Sequence, residues 1–229
     1  MLPNPAFWFC RGKTSGLSKG YRLNQSFREY QVKVKNSGLE IQTRITECCV
    51  FLACMESRNI SRLEWAVAET DILPGHRVLE IGPGTGIALE ILARRVPAGS
   101  VVALDKSLSM LTKAESRLKA AGLTKRVIFI NDAAATVDLS QFRFDRVFAF
   151  NVNIFYMNTD LTCVLDPVVR GGVIGLFYQN PPGSDTYRLA GMLEKVTTSL
   201  KRYHFEVINA PVYSDAGSTP TGGVVARKK

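Results

Sequence analysis

Val78-Leu79-Glu80-Ile81-Gly82-Pro83-Gly84-Thr85-Gly86 is the stretch that decides the fold of this 229-residue chain. An apolar run ends around Glu80, glycines alternate at 82, 84 and 86, and Ile87, Leu89, Ile91, Leu92 and Val96 follow at helical spacing. The pattern predicts a buried strand, a tight turn and a helix start. Glycine admits positive φ and lets a ligand come close to the backbone. The helix start behind the turn offers unpaired N–H groups and a partial positive charge. The spacing is not the dinucleotide fingerprint G-x-G-x-x-G, because Ile87 stands where its third glycine belongs.

Outward from this turn the chain alternates strand and helix. Strands are predicted at Arg77–Ile81, Val101–Leu104, Val127–Ile130, Arg146–Phe150, Val173–Tyr178, Phe205–Ile208 and Val224–Arg227. The fifth follows a turn at Gly171-Gly172. Helices are predicted at Gly86–Val96, at Ser107–Ala121 with Ser107 as cap and Gly122 as stop, near Thr159–Leu165 and near Asp185–Leu200. A preceding helix, roughly Ile60–Thr70, stops at Leu73-Pro74-Gly75. The fold class is therefore α/β, a Rossmann-like, seven-stranded, mostly parallel sheet with helices on both faces. Ligands in such sheets bind beyond the carboxyl ends of the strands, at the switch point of strand order.

Four strand ends carry polar groups. The first ends in Glu80 and the glycine turn; the second ends in Asp105-Lys106, nineteen residues after Gly86, where a carboxylate can accept from a ribose diol. The third ends in Asp132-Ala133, and the fourth in Asn151 followed by Phe155-Tyr156. Glu80 two residues before the first glycine of G-x-G-x-G, with these ordered acids, resembles the class I S-adenosylmethionine (SAM) dependent methyltransferases over roughly Asn59–Tyr178.

The resemblance implies SAM as cofactor, bound by Glu80, Gly82, Pro83, Gly84, Gly86, Asp105, Lys106, Asp132, Ala133 and Asn151. In that family the second acid takes the ribose hydroxyls, the third takes the adenine amino group, and the backbone N–H after it meets a ring nitrogen. Phe155 and Tyr156 are candidates for lining the acceptor pocket or facing the sulfonium, against the plain reading of aromatics as core. The Asn-Pro-Pro-Tyr pattern that the family uses for amino groups of DNA bases or glutamine is absent after strand four. Asn180-Pro181-Pro182 stands after strand five and reads as a rigid turn.

The organisation expected is a basic N-terminal extension with a lid helix over residues 1–56 and a methyltransferase domain over 57–229. Residues 1–38 carry no sustained period and read as loop or disorder, whereas Ile41, Ile45, Cys48, Cys49, Leu52 and Met55 predict a helix over 40–56. No acid precedes Glu29, a composition with a faint likeness to an organellar transit peptide, although a basic tail is the favoured reading. The family likeness starts just after Met55, which makes Met55 a candidate alternative start.

The net charge of +9 divides into +5 over residues 1–60 and +4 over the remainder, so the second region is only mildly basic. With no basic run interleaved with aromatics, nucleic acid is disfavoured as partner, and a small-molecule acceptor is expected. No apolar run reaches the ~18 residues of a membrane span, and no secretory signal is evident, so a cytoplasmic location is expected. Five cysteines without a Cys-x-x-Cys pair, and two histidines, give no metal site. His76 and His204 both sit at amino ends of strands, away from the expected site, so no catalytic base is assigned. The alternatives are a non-catalytic SAM-binding module, an RNA or protein methyltransferase and, against the glycine spacing, an NAD(P)-dependent oxidoreductase.

Overall fold

The computed structural model describes residues 29–36, 39–46, 59–180, 186–214 and 220–229. The chain divides into two compact units, Met1–Ala53 and Cys54–Lys229. In the first, β1 (Glu29–Asn36) pairs antiparallel with β2 (Leu39–Thr46), in a register that sets Asn36 opposite Leu39. Strands thus stand where loop was expected before residue 38 and where the predicted helix 40–56 should begin. Ile41 and Ile45 satisfy a helical i, i+4 spacing, but Ile41, Thr43 and Ile45 also alternate with Glu40, Gln42 and Arg44. Such β-branched alternation, in a segment that pairs with β1, favours strand over helix. The rest of the predicted helix, including Met55, lies outside the described residues.

In the second unit, β3 (Arg77–Ile81), β4 (Ser100–Asp105), β5 (Val127–Asn131), β6 (Phe144–Phe150) and β7 (Val168–Gln179) pair in parallel. β8 (Phe205–Asn209) and β10 (Thr221–Lys228) complete the order β5-β4-β3-β6-β7-β10-β8, with β10 antiparallel to both neighbours. The expected seven strands are all present. The two-residue β9 (Val212–Tyr213) joins β10 as an eighth. The expected turn at Gly171-Gly172 is instead an irregularity inside β7, where Phe144 pairs with Val168 and Arg146 with Val173. The chain winds from β3 outward to β5, then returns to lay β6 on the other side of β3. This reversal puts the switch point at the carboxyl ends of β3 and β6.

Strand alternation sends apolar side chains to both faces. Leu79, Ile81, Val102, Leu104, Val147, Ile174 and Leu176 pack in one core layer, while Val78, Val101, Ala103, Phe148, Val173 and Phe177 pack in the other. This two-sided burial is what a parallel sheet covered by helices requires. The second layer is closed by α1 (residues 59–69), α2 (Ile87–Arg95) and α3 (Leu108–Ala120), and the first by α4 (Thr162–Leu165) and α5 (Thr186–Arg202). Ser107 caps α3 by accepting from Met110 N–H, as its sequence position predicts. No helix among the described residues is long and apolar enough to cross a membrane.

Candidate functional site

Two adjoining cavities open at the switch point. The first, of about 230 Å³, is lined by Ile81 and Gly82 after β3, Leu104, Asp105 and Lys106 after β4, Asp132 to Ala135 after β5, and Val152, Ile154 and Thr159 after β6. Gly82, Asp105, Lys106, Asp132 and Ala133, each singled out from sequence, therefore meet around one space. Pro83, Gly84 and Gly86 form the turn beside it; Pro83 is buried.

The three glycines do different work. A Cβ on Gly82 would stand 2.7 Å from Val152 Cγ2, and one on Gly86 would stand 2.8 Å from Ala114 Cα of α3. A Cβ on Gly84 would meet nothing within 4 Å. Gly82 and Gly86 thus serve close packing, whereas Gly84 borders open space. All three have positive φ, from 55° to 83°, which non-glycine residues adopt only under strain. Gly86 N–H donates to Pro83 carbonyl, closing the turn at 2.9 Å.

Glu80 lies behind this turn, 2% exposed, and its Oε2 has no hydrogen-bond partner among the described residues. Burial pushes its carboxyl up to about 8, and the neighbouring Asp105 adds to the shift. Asp105 Oδ1 accepts from Ser107 N–H, and its carbonyl accepts from the Asn131 carboxamide, so β4's end is held on both sides. Asp132 Oδ1 accepts from Ala133 N–H at 2.6 Å and from the Thr136 hydroxyl at 3.2 Å. The backbone donor expected to meet a ligand is thus turned onto its neighbour's carboxylate, in an exposed position where exchange is easy.

The second cavity, of about 350 Å³, is lined by Asn151, Asn153, Tyr156, Tyr178, Gln179, Asn180, Arg188 and Met192. Asn151 belongs here rather than with the first cavity. Its φ of +58° turns the chain out of β6, a conformation that asparagine tolerates better than most residues. Its Oδ1 accepts from Gln179 N–H at 2.8 Å, and its own N–H donates to Phe177 carbonyl. The side chain thereby ties the end of β6 to the end of β7.

Tyr156 also lines this cavity, edge-on to Tyr178 at 5.5 Å between ring centroids. Phe155, its candidate companion, is fully buried in the core layer under α5, because the 3-10 turn Asn153–Phe155 rotates it inward. The segment after β6 alternates: Val152 and Ile154 face the first cavity, while Asn151 and Asn153 face the second. One segment therefore walls two spaces. Tyr178 hydroxyl donates to Val152 carbonyl and anchors the wall.

Sequence reading missed Val152, Ile154 and Thr159 in the first cavity and Asn153, Gln179, Asn180 and Arg188 in the second. The alternation Asn151-Val152-Asn153-Ile154 was a usable signal for the wall. Asn180, one residue past β7, obeys the same strand-end rule as the acids. Arg188 carried none, since only folding brings α5 beside β6.

Neither histidine reaches the cavities. His76 Nδ1 accepts from Leu73 N–H at the amino end of β3, and burial with the nearby Arg146 lowers its pKa. His204 precedes β8, again at an amino end. Among the described residues no three His, Cys, Asp or Glu side chains cluster as a metal site.

Residues 78–170 match a family model described as a methyltransferase domain. No curated protein matches the chain in sequence. Among solved structures, the chain is similar to a SAM-dependent methyltransferase from Aquifex aeolicus, with TM-score 0.57, 19% identity, and coverage of 72% of this chain and 88% of that one. It is also similar to TrmN from Thermus thermophilus, with TM-score 0.55, 23% identity and coverage of 73% and 48%. A third likeness is to the [4+2]-cyclase SpnF, with TM-score 0.58, 17% identity and coverage of 74% and 80%. At these identities the solved structures establish the fold.

Proposed function

We propose that the chain, whose residues 78–170 match a family model described as a methyltransferase domain, is a class I SAM-dependent methyltransferase that transfers a methyl group from SAM to a small-molecule acceptor. SAM occupies the first cavity, and the acceptor enters the second. The observation that carries this reading is the common wall: donor and acceptor spaces meet along Val152 to Ile154, as direct transfer between two bound molecules needs.

The residues fit the cofactor. The buried Glu80 Oε2 has no hydrogen-bond partner among the described residues, so the side chain is open to a donor or a counter-charge brought by a ligand. In this reading Glu80 answers the ammonium of the methionine end through the turn of Gly82, Pro83, Gly84 and Gly86, and Gly84 leaves room for a ligand. Asp105 takes the ribose hydroxyls with Lys106 beside it. Asp132 and the N–H of Ala133 take the adenine edge. Asn151 holds the backbone between the two sites.

When bound, SAM supplies a methyl carbon already activated by its sulfonium. The segment Val152 to Ile154 would hold an acceptor beside that carbon, with S-adenosylhomocysteine (SAH) as the product left in the first cavity. The chain's task is alignment and exclusion of water. No base is assigned: Glu80 lines neither cavity, and Tyr178, raised further by burial, is engaged with Val152 carbonyl. An acceptor atom that presents its lone pair at neutral pH suits such a site.

Calorimetric titration with SAH, followed by acceptor-dependent SAH release from SAM, tests the reading. Binding that is lost in Asp105→Ala and Gly84→Val supports the cofactor site. NAD(P) binding more tightly than SAH would overturn the assignment, and SAH binding with no turnover across acceptors would leave a SAM-binding module in place of a transferase.

A further inference from the structure

We propose that the second cavity selects small acceptors carrying an anionic oxygen group, a carboxylate or a phosphate, and that Arg188 binds that group. The proposal rests on the reading of this cavity as the acceptor site and names the class of molecule it takes.

Arg188 is the only charged residue among the described residues around this space. It is exposed, and it pairs with no carboxylate among the described residues. Met192, four residues on, lines the same cavity, so the inner face of α5 looks onto it. A guanidinium presents a planar fork of N–H donors that matches a carboxylate or a phosphate with two parallel hydrogen bonds.

The opposite wall points the same way. Asn151 Oδ1 accepts from Gln179 N–H, and Asn153 Oδ1 accepts from the Tyr156 hydroxyl at 2.5 Å. Tyr178 spends its own proton on Val152 carbonyl. With both carboxamide oxygens engaged, the ends of Asn151 and Asn153 left to serve a ligand are their –NH₂ groups, which only donate. Two amide donors and one guanidinium line the same space of about 350 Å³, beside the carboxamides of Gln179 and Asn180. Such a donor-rich space favours a ligand rich in acceptors and bearing negative charge, and it penalises a cation that would sit unpaired against Arg188.

The test uses the full chain saturated with SAH and follows side-chain amide signals of asparagine and glutamine by NMR. Malonate, inorganic phosphate and uncharged malonamide are titrated in turn at constant ionic strength. The expected result is a saturable shift of the Asn151 and Asn153 signals with malonate or phosphate and none with malonamide. The stronger anion identifies the group, carboxylate or phosphoryl. Arg188→Ala should weaken the anion by roughly tenfold, the scale of one charge-assisted bidentate pair, and Arg188→Lys should fall between. Asn153→Asp, which sets a carboxylate opposite the guanidinium, should abolish anion binding by itself. Calorimetric SAH affinity should stay unchanged in all three variants.

Malonamide shifting the same signals as strongly, neither anion shifting them, or Arg188→Ala leaving the anion affinity intact would overturn the proposal. Loss of SAH binding in the unsubstituted chain would instead overturn the methyltransferase reading, so the two failures are distinguishable.

Discussion

Val152 lies against Gly82: its Cγ2 occupies a point 2.7 Å from where a Cβ on that glycine would be. The residue that walls the two cavities is thus seated on the first glycine of the turn that follows β3. A methyl group at residue 82 would push the wall outward as well as strain a backbone at φ +69°. Gly82→Ala is expected to weaken SAH binding at least tenfold, by about 1.4 kcal/mol. Val152→Ala should relieve part of that loss in the double variant. Calorimetry on the two single variants and the double variant measures the coupling, and strictly additive effects would show that the contact plays no part.

The third glycine predicts a different phenotype. Gly86 faces the backbone of Ala114, 2.8 Å from the position of an added Cβ, and a backbone Cα cannot swing aside. Gly86→Ala should separate α2 from α3 and lower stability by about 2–4 kcal/mol, combining overpacking with left-handed strain. Gly84→Ala, in open space, bears only the strain term and should lose about 1 kcal/mol. Denaturant midpoints for the two variants check the order; equal losses would contradict the packing role of Gly86.

Glu80 makes the ligand-free protein pH-sensitive. Its folded-state pKa of about 8 stands above the ordinary 4.5, so the native state holds the proton more tightly than the unfolded chain. The stabilisation is fully present below about pH 4.5 and is lost as pH rises through 8. Glu80→Gln should flatten this dependence in chemical denaturation between those limits. A ligand ammonium favours the ionised carboxylate, so SAH binding near pH 7 should release a proton. Calorimetry in buffers of differing ionisation enthalpy reads that proton directly. Buffer-independent heats, or the same release in Glu80→Gln, would remove Glu80 from this role.

Far from the cavities, Arg77 joins the amino ends of β3 and β6 by a two-pronged bond to Asp145, with Arg77 Nε and Nη2 each 2.9 Å from a carboxylate oxygen. The side-chain hydrogen bond from Arg77 holds the Asp145 carboxyl down at about 2. Here the sign is opposite to that of Glu80: the contribution is present above the ordinary pKa of 3.8 and disappears as pH falls toward 2. Arg77 is half exposed, so solvent screening keeps the value near 1 kcal/mol. Asp145→Asn should lower stability by that amount at pH 7 and leave SAH affinity unchanged. An altered SAH affinity would show that the two ends of the sheet are coupled.

Much of this architecture was legible in the chain. Strict alternation of strand and helix signals located all seven principal strands, because apolar runs bounded by Gly, Pro and polar turns leave few alternatives. Asp105 and Asp132 were legible as strand-end acids for the same reason. The hairpin over 29–46 was not, since Ile41 and Ile45 fit both periods and only a pairing partner separates them. Phe155 and Tyr156 were indistinguishable as neighbouring aromatics until the 3-10 turn at Asn153–Phe155 sent one inward and the other to the cavity.

The sequence by itself determined the parallel sheet, the glycine turn and the acids at its strand ends, since these follow from local period, turn chemistry and spacing along one chain. Only the tertiary structure decided which side chains share a cavity. The division of labour among three glycines depends on Val152 and Ala114, which lie 70 and 28 residues away from Gly82 and Gly86 respectively. Arg188 lines one cavity with Asn151 and Asn153 only because α5 packs over the same sheet face. Distances of that kind are set by packing between elements, and no period along the sequence records them.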